Sequence, residues 1–127
     1  MNASPAHPPQ NFSLSGKIIV LTGGAGLYGR GLTTQLAESG ATLIMASRNL
    51  SALEKVAAEE RAFGRNVQAR SLDQADESSV LKLRDSVFQE FGRVDGLVNN
   101  AVARPMKTAG APLADWEASM KTNATGL

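Results

Sequence analysis

Cysteine is missing from the 127 residues. Disulfides, thiolate metal sites and a cysteine nucleophile are therefore excluded from this chain. Histidine occurs once, as His7, among Pro5, Pro8 and Pro9. That leaves no histidine for a buried Ser-His-Asp triad. Aromatic residues make up 5% of the chain, with a single tyrosine, Tyr28, and a single tryptophan, Trp116. Neither sign of charge dominates, since 13 Lys and Arg stand against 12 Asp and Glu. Such a balance gives no ground for nucleic acid or an anionic membrane as partner. No apolar run approaches the ~18 residues of a membrane span. The first residues also lack the basic segment and apolar core of a secretory signal. The expected location is cytoplasmic, and no metal ligand set is legible.

The composition that remains, 43% hydrophobic and 20% charged, is that of a folded globular chain. Residues 1–12 carry prolines and no periodicity, and are expected to form a flexible tail. Residues 13–127 form the expected domain. Ile18-Ile19-Val20-Leu21 is a continuous apolar run that suits a strand buried on both faces. Leu32 and Leu36, one helical turn apart, predict a helix stopped by Gly40. Ala41 to Ala46 predicts a second strand. Asn49 is the expected cap of a helix whose Leu50, Leu53, Val56, Ala57 and Phe63 share a face.

Val67 to Leu72 predicts a third strand. Asp76 caps a third helix, with Val80, Leu83, Val87 and Phe91 on one side and Gly92 after it. Val94 to Val98 predicts a fourth strand, and Asp115 caps a last helix carrying Trp116, read as core. Arg93 and Asp95 read as surface charges. Strands alternating with helices imply βαβ units. The expected fold is α/β, a Rossmann-type doubly wound parallel sheet, incomplete at about four strands in the order 3-2-1-4.

The stretch Thr22-Gly23-Gly24-Ala25-Gly26-Leu27-Tyr28-Gly29 joins the first strand to the first helix. Gly23, Gly26 and Gly29 allow a tight turn and a close backbone approach to a pyrophosphate, at a helix end rich in free N–H groups. The position between a buried strand and a helix makes this a dinucleotide-binding turn. Thr22, Gly23, Gly26, Leu27, Tyr28 and Gly29 are the candidate phosphate contacts. Ser47-Arg48 ends the second strand without a carboxylate. An acid there would favour NAD, whereas a hydroxyl and a guanidinium suit the 2′-phosphate of NADP. The alternative reading of Arg48 is a solvated strand-end charge.

With these residues in place the chain resembles the short-chain dehydrogenase/reductase family from about Leu14 to Leu127. Leu14-Ser15-Gly16-Lys17 resembles that family's entry to its first strand. Asp73-Gln74-Ala75-Asp76, after Leu72, resembles the segment whose first Asp contacts adenine. Asn99-Asn100-Ala101 resembles the motif that closes the fourth strand and borders the cofactor. Met120-Lys121-Thr122-Asn123 resembles the helix bearing the catalytic asparagine. The resemblance thus adds Leu72, Asp73, Asn100 and Ala101 as cofactor contacts and Asn123 as the catalytic residue. Taken alone, an asparagine within a helix can equally bond to local backbone.

Two departures stand out. Leu27 occupies a position where the single-domain branch has glycine, with glycine at 26 instead, a spacing similar to the extended branch of sugar-nucleotide epimerases and dehydratases. Val102 replaces the glycine that completes Asn-Asn-Ala-Gly.

The resemblance implies hydride transfer between nicotinamide C4 and a carbonyl or alcohol carbon of a small molecule. NADP is the favoured cofactor, with NAD the alternative. Tyrosine would be the acid/base, serine would orient substrate, and Asn123 would hold a proton-relay water. Neither that serine nor a Tyr-x-x-x-Lys pair is found, and Tyr28 lies on the phosphate turn. The expectation is therefore the N-terminal part of a longer oxidoreductase, inactive alone and a dimer or tetramer at full length. The alternatives are a non-catalytic nucleotide-binding or interaction module ending at Leu127, and the start of an epimerase-like enzyme.

Overall fold

All five residues of β1, Ile18–Thr22, are buried, because the strand has a neighbour on each side and helices over both faces. The computed structural model describes residues 12–127; the expected tail at 1–12, with His7, lies outside the described residues apart from Phe12. The elements that follow are α1 (Leu27–Glu38), β2 (Thr42–Ser47), α2 (Leu50–Ala62), β3 (Val67–Ser71), α3 (Glu77–Phe91), β4 (Gly96–Val98) and α4 (Leu113–Met120). A π-helical turn, Lys121–Thr125, extends α4. No helix among the described residues is long and apolar enough to cross a membrane.

The four strands lie in the order β3-β2-β1-β4, all parallel. The expected sheet is therefore the observed one. Ile18 stands opposite Thr42, and Ile19 opposite Gly96. Side chains alternate between the faces. Ile19, Leu21, Leu43 and Met45 pack with Leu53 and Val56 of α2. Ile18, Val20 and Ile44 pack with Val87 of α3 on the opposite face. Each added helix thus covers apolar strand residues that would otherwise meet water.

The predicted caps of α2 and α3 form. Asn49 accepts from the N–H of Ala52 at 3.1 Å, and Asp76 from that of Ser78 at 3.0 Å; caps of this kind contribute about 1 kcal/mol each. Gly92 ends α3 at φ 72°, the left-handed conformation expected of that residue.

Several faces differ from the sequence pattern. In α1 the buried residues are Gly29, Thr33 and Ala37, while Leu32 is 36% exposed. Small residues face the sheet because the helix begins pressed against the glycine turn, where Thr33 Oγ1 donates to the Gly24 carbonyl at 3.2 Å. On α2 only the middle of the expected stripe is buried, and Phe63 is 76% exposed beneath the guanidinium of Arg65. Helix α4 starts at Leu113, not after Asp115. The extended Pro112 supplies the first acceptor, for the N–H of Asp115 at 3.0 Å. Trp116 is half exposed and belongs to no core, because α4 buries none of its residues. Asp95 is more than a surface charge. Its Oδ2 accepts from the Ile18 N–H at 2.7 Å, tying the approach to β4 onto the start of β1.

Candidate functional site at the strand ends

Parallel strands all deliver their C-terminal ends to one edge, and ligands of such sheets lie there. At that edge is a cleft of about 570 Å³. Its walls come from the turn after β1, Ser47 to Asn49 after β2, Leu72 to Gln74 after β3, and Asn100 to Arg104 after β4, with Thr122 from the π turn. Gly23, Gly26, Leu27, Tyr28 and Gly29 line it, as do Ser47, Arg48, Leu72, Asp73, Asn100 and Ala101. They come from four separate stretches of sequence, and the topology brings them together. Thr22 and Asn123 do not line the cleft; both act on its frame.

Gly23 has φ +73°, and a Cβ there would stand 2.9 Å from the Ala101 Cα. In Gly29 a Cβ would drive into the Gly23 carbonyl oxygen. Gly26 is different: its φ is −73°, and a Cβ would meet only the Gly23 oxygen at 3.4 Å. The protein's own packing thus requires glycine at 23 and 29 but not at 26. α1 starts without a side-chain cap and with no acid in its first turn, so its free amides face the cleft uncompensated. Leu27 is 90% exposed, so a large side chain at that departure from the single-domain glycine pattern costs no packing.

Thr22 holds two walls together. Its buried hydroxyl accepts from the N–H groups of Asn100 and Ala101, both at 3.0 Å. It also donates towards the Val98 carbonyl at 3.5 Å. That fills the hydroxyl's whole complement of one donor and two acceptor positions. Asn100 answers from the other side, its Nδ2 donating to the Thr22 and Gly23 carbonyls at 3.1 and 3.2 Å. Val102 has an ordinary φ, as every non-glycine residue among those described does, so the valine there introduces no backbone strain.

The Asn123 amide reaches Ala103. Its Oδ1 accepts from the Ala103 N–H at 2.7 Å, and its Nδ2 donates to the Ala103 carbonyl at 2.7 Å. Nδ2 also donates to Ser119 Oγ at 3.1 Å. Both donors are committed, and one lone pair of Oδ1 remains. Asp73 Oδ1 accepts from the Ala75 N–H at 2.9 Å, which turns the chain after β3 towards α3.

Sequence reasoning missed Gln74, Asn49, Arg104 and Thr122 as cleft residues. Gln74 is the most telling, since neither amide atom has a partner although both are buried. An orphaned amide of this kind is costly unless a ligand or water meets it. The open helix end and the room left above Gly26 make the cleft a fitting receptacle for phosphate groups.

The family model described as short chain dehydrogenase matches residues 17–127. A short chain dehydrogenase/reductase of Colletotrichum higginsianum is 39% identical over 88 residues, 69% of this chain and 33% of the relative. The solved structure of the Pseudomonas aeruginosa RhlG/NADP active-site complex superposes with a TM-score of 0.84 at 30% identity, over 94% of this chain and 46% of that one. The 3-ketoacyl-(acyl-carrier-protein) reductase of Brucella melitensis complexed with NADH does so with a TM-score of 0.78 at 28% identity, over 90% and 46%. The chain spans a third to a half of these proteins' length. A doubly wound sheet, a glycine turn latched to the fourth strand and a family match over most of the residues lead to one conclusion: the chain belongs to the short chain dehydrogenase family.

Proposed function

We propose that the cleft binds NADP, and that the chain is the cofactor-binding portion of an oxidoreductase acting on a small carbonyl or alcohol substrate. The observation that carries the reading is the convergence of the glycine turn, Ser47-Arg48, Asp73 and Asn100-Ala101 on one cleft. In this reading the open end of α1 receives the pyrophosphate, and Asp73 meets the adenine. Ser47 and Arg48 meet the 2′-phosphate, where no carboxylate of β2 opposes it. NADP rather than NAD follows from that pair, because a guanidinium grips phosphate with charge-assisted bonds.

When bound, the nicotinamide supplies or accepts hydride at C4. The chain's own part is to hold and orient. Thr22 and Asn100 keep the β4 wall at a fixed spacing from the phosphate turn. Asn123 fixes Ala103, and the remaining lone pair of its Oδ1 is the place for a relay water. The sequence contains no Tyr-x-x-x-Lys, so the 127 residues by themselves are expected to bind cofactor without turnover.

A binding titration tests this. The chain is expected to prefer NADPH to NADH. Arg48→Asp is expected to weaken NADPH by about tenfold or more, the loss of one charge-assisted contact, while sparing NADH. Failure to bind either nucleotide would overturn the cofactor reading. Equal losses for both in the variant would remove Arg48 from the 2′-phosphate.

A further inference from the structure

Arginines in this chain divide by location. Arg30, Arg61, Arg65, Arg70, Arg84 and Arg93 each meet a carboxylate. Arg48 and Arg104 meet none among the described residues, and residues 1–11 contain no Asp or Glu that could reach them. These two unpaired guanidinium groups are the two that line the cleft. The one carboxylate on its walls, Asp73, follows β3 on the far side of β2 from β4.

The backbone on either side of Arg104 is restrained. Asn123 takes both backbone groups of Ala103, the residue before it. Pro105 follows it, and a residue before proline is confined to extended conformations. The wall that carries Arg104 matters as well. Arg48 follows β2 and Arg104 follows β4, with β1 and the phosphate turn between them. At about 4.8 Å per strand spacing, the two strand ends lie about 10 Å apart. A dinucleotide whose ribose phosphate is at Arg48 and whose pyrophosphate is at the turn presents its nicotinamide end towards the β4 wall.

We infer that Arg104 is an anion anchor for the substrate, and that the substrate carries a carboxylate or phosphate beside its reacting carbonyl or alcohol. The inference rests on the cofactor reading above for the direction in which the nucleotide lies. Arg104 then binds the anionic group through its fork of N–H donors. Asn123 is a positioning residue for it, acting through Ala103. The cofactor's own pyrophosphate is the other source of the same chemistry, and the test separates the two.

The experiment follows backbone amide and arginine Nε resonances of the chain by NMR. The chain is first saturated with NADP, which fills the cofactor's phosphate subsites, and inorganic phosphate is then titrated as the probe. The expected result is a saturable shift at Arg104 Nε and the Ala103 amide. Arg104→Ala abolishes it, Arg104→Lys weakens it severalfold, and both leave NADP affinity within twofold. A tenfold loss of NADP affinity in Arg104→Ala would assign the residue to the cofactor and overturn the substrate anchor. Shifts that persist unchanged in Arg104→Ala, or no shift at all, would overturn it too. If NADP fails to bind the unaltered chain, the cofactor reading fails by itself. The same titration without nucleotide then decides whether Arg104 binds anions.

Discussion

The side-chain amide of Asn123 and the peptide of Ala103 pair reciprocally, each donating to the other at 2.7 Å. A residue twenty positions further along the chain thereby fixes the loop that forms the β4 wall. Asn123→Ala removes both bonds and leaves two partly buried backbone groups without partners. The expected cost is about 1–3 kcal/mol, with faster hydrogen exchange at the Ala103 amide and little change in the β1–β3 core. Unchanged exchange at Ala103 would show that the loop is held by something else.

Thr22→Val is nearly isosteric but takes away the acceptor shared by the Asn100 and Ala101 amides. It is expected to destabilise the chain by about 1–3 kcal/mol and to weaken nucleotide binding. Thr22→Ser keeps the hydroxyl and should retain most of both. Urea unfolding midpoints for the two variants check this directly.

Two glycines in the same helix should respond with opposite sign. Gly29→Ala forces a Cβ into the Gly23 carbonyl, an overpacking with an expected cost of about 1–3 kcal/mol. Gly31→Ala meets nothing within 4 Å and should stabilise α1 by about 0.5–1 kcal/mol. Thermal unfolding of the pair tests whether the turn or the helix propensity dominates.

Acid should weaken the fold over a defined range. Asp76 is held below its ordinary value of 3.8 by the side-chain and backbone donors of Ser78. Glu90 is held below 4.5, first by Gln68 and then by Arg70. Asp95 is held below 3.8 by the Ile18 N–H and Arg93. A carboxyl whose pKa is lower folded than unfolded favours the fold while ionised. That contribution is complete above the unfolded values and drains as pH falls through the folded ones. Stability should therefore hold from neutrality to about pH 5 and decline below it. Asp95→Asn should shrink the difference between neutral and about pH 3 in denaturant titrations.

Sheet order, both inner caps and most of the cleft were legible because they rest on local chemistry. Asn49 and Asp76 cap wherever a helix starts, and an apolar run such as Ile18 to Leu21 needs cover on both sides. Leu32, Phe63 and Trp116 misled because a helical stripe shows only that a face is apolar. In α1 the face that approaches the sheet is that of Gly29, Thr33 and Ala37, while Phe63 stands at the end of α2 and Trp116 on a helix that buries none of its residues. Asp95 read as a surface charge because its partner, the Ile18 amide, lies across the sheet. Gln74 and Arg104 escaped for a related reason: a missing partner is a property of three-dimensional surroundings, and no spacing in the chain records it.

The latch between Thr22 and Asn100 spans 78 positions, and the Asp95–Ile18 bond spans 77. β2 and β3, by contrast, each join the growing sheet after one short helix. Loop closure grows costlier with length, by about 0.6 kcal/mol per doubling, and distant pairings form late. β4 is accordingly expected to pair last during folding, and the β4 wall to form with it. By linkage, any ligand held between the phosphate turn and that wall favours the sheet with β4 paired over the sheet without it.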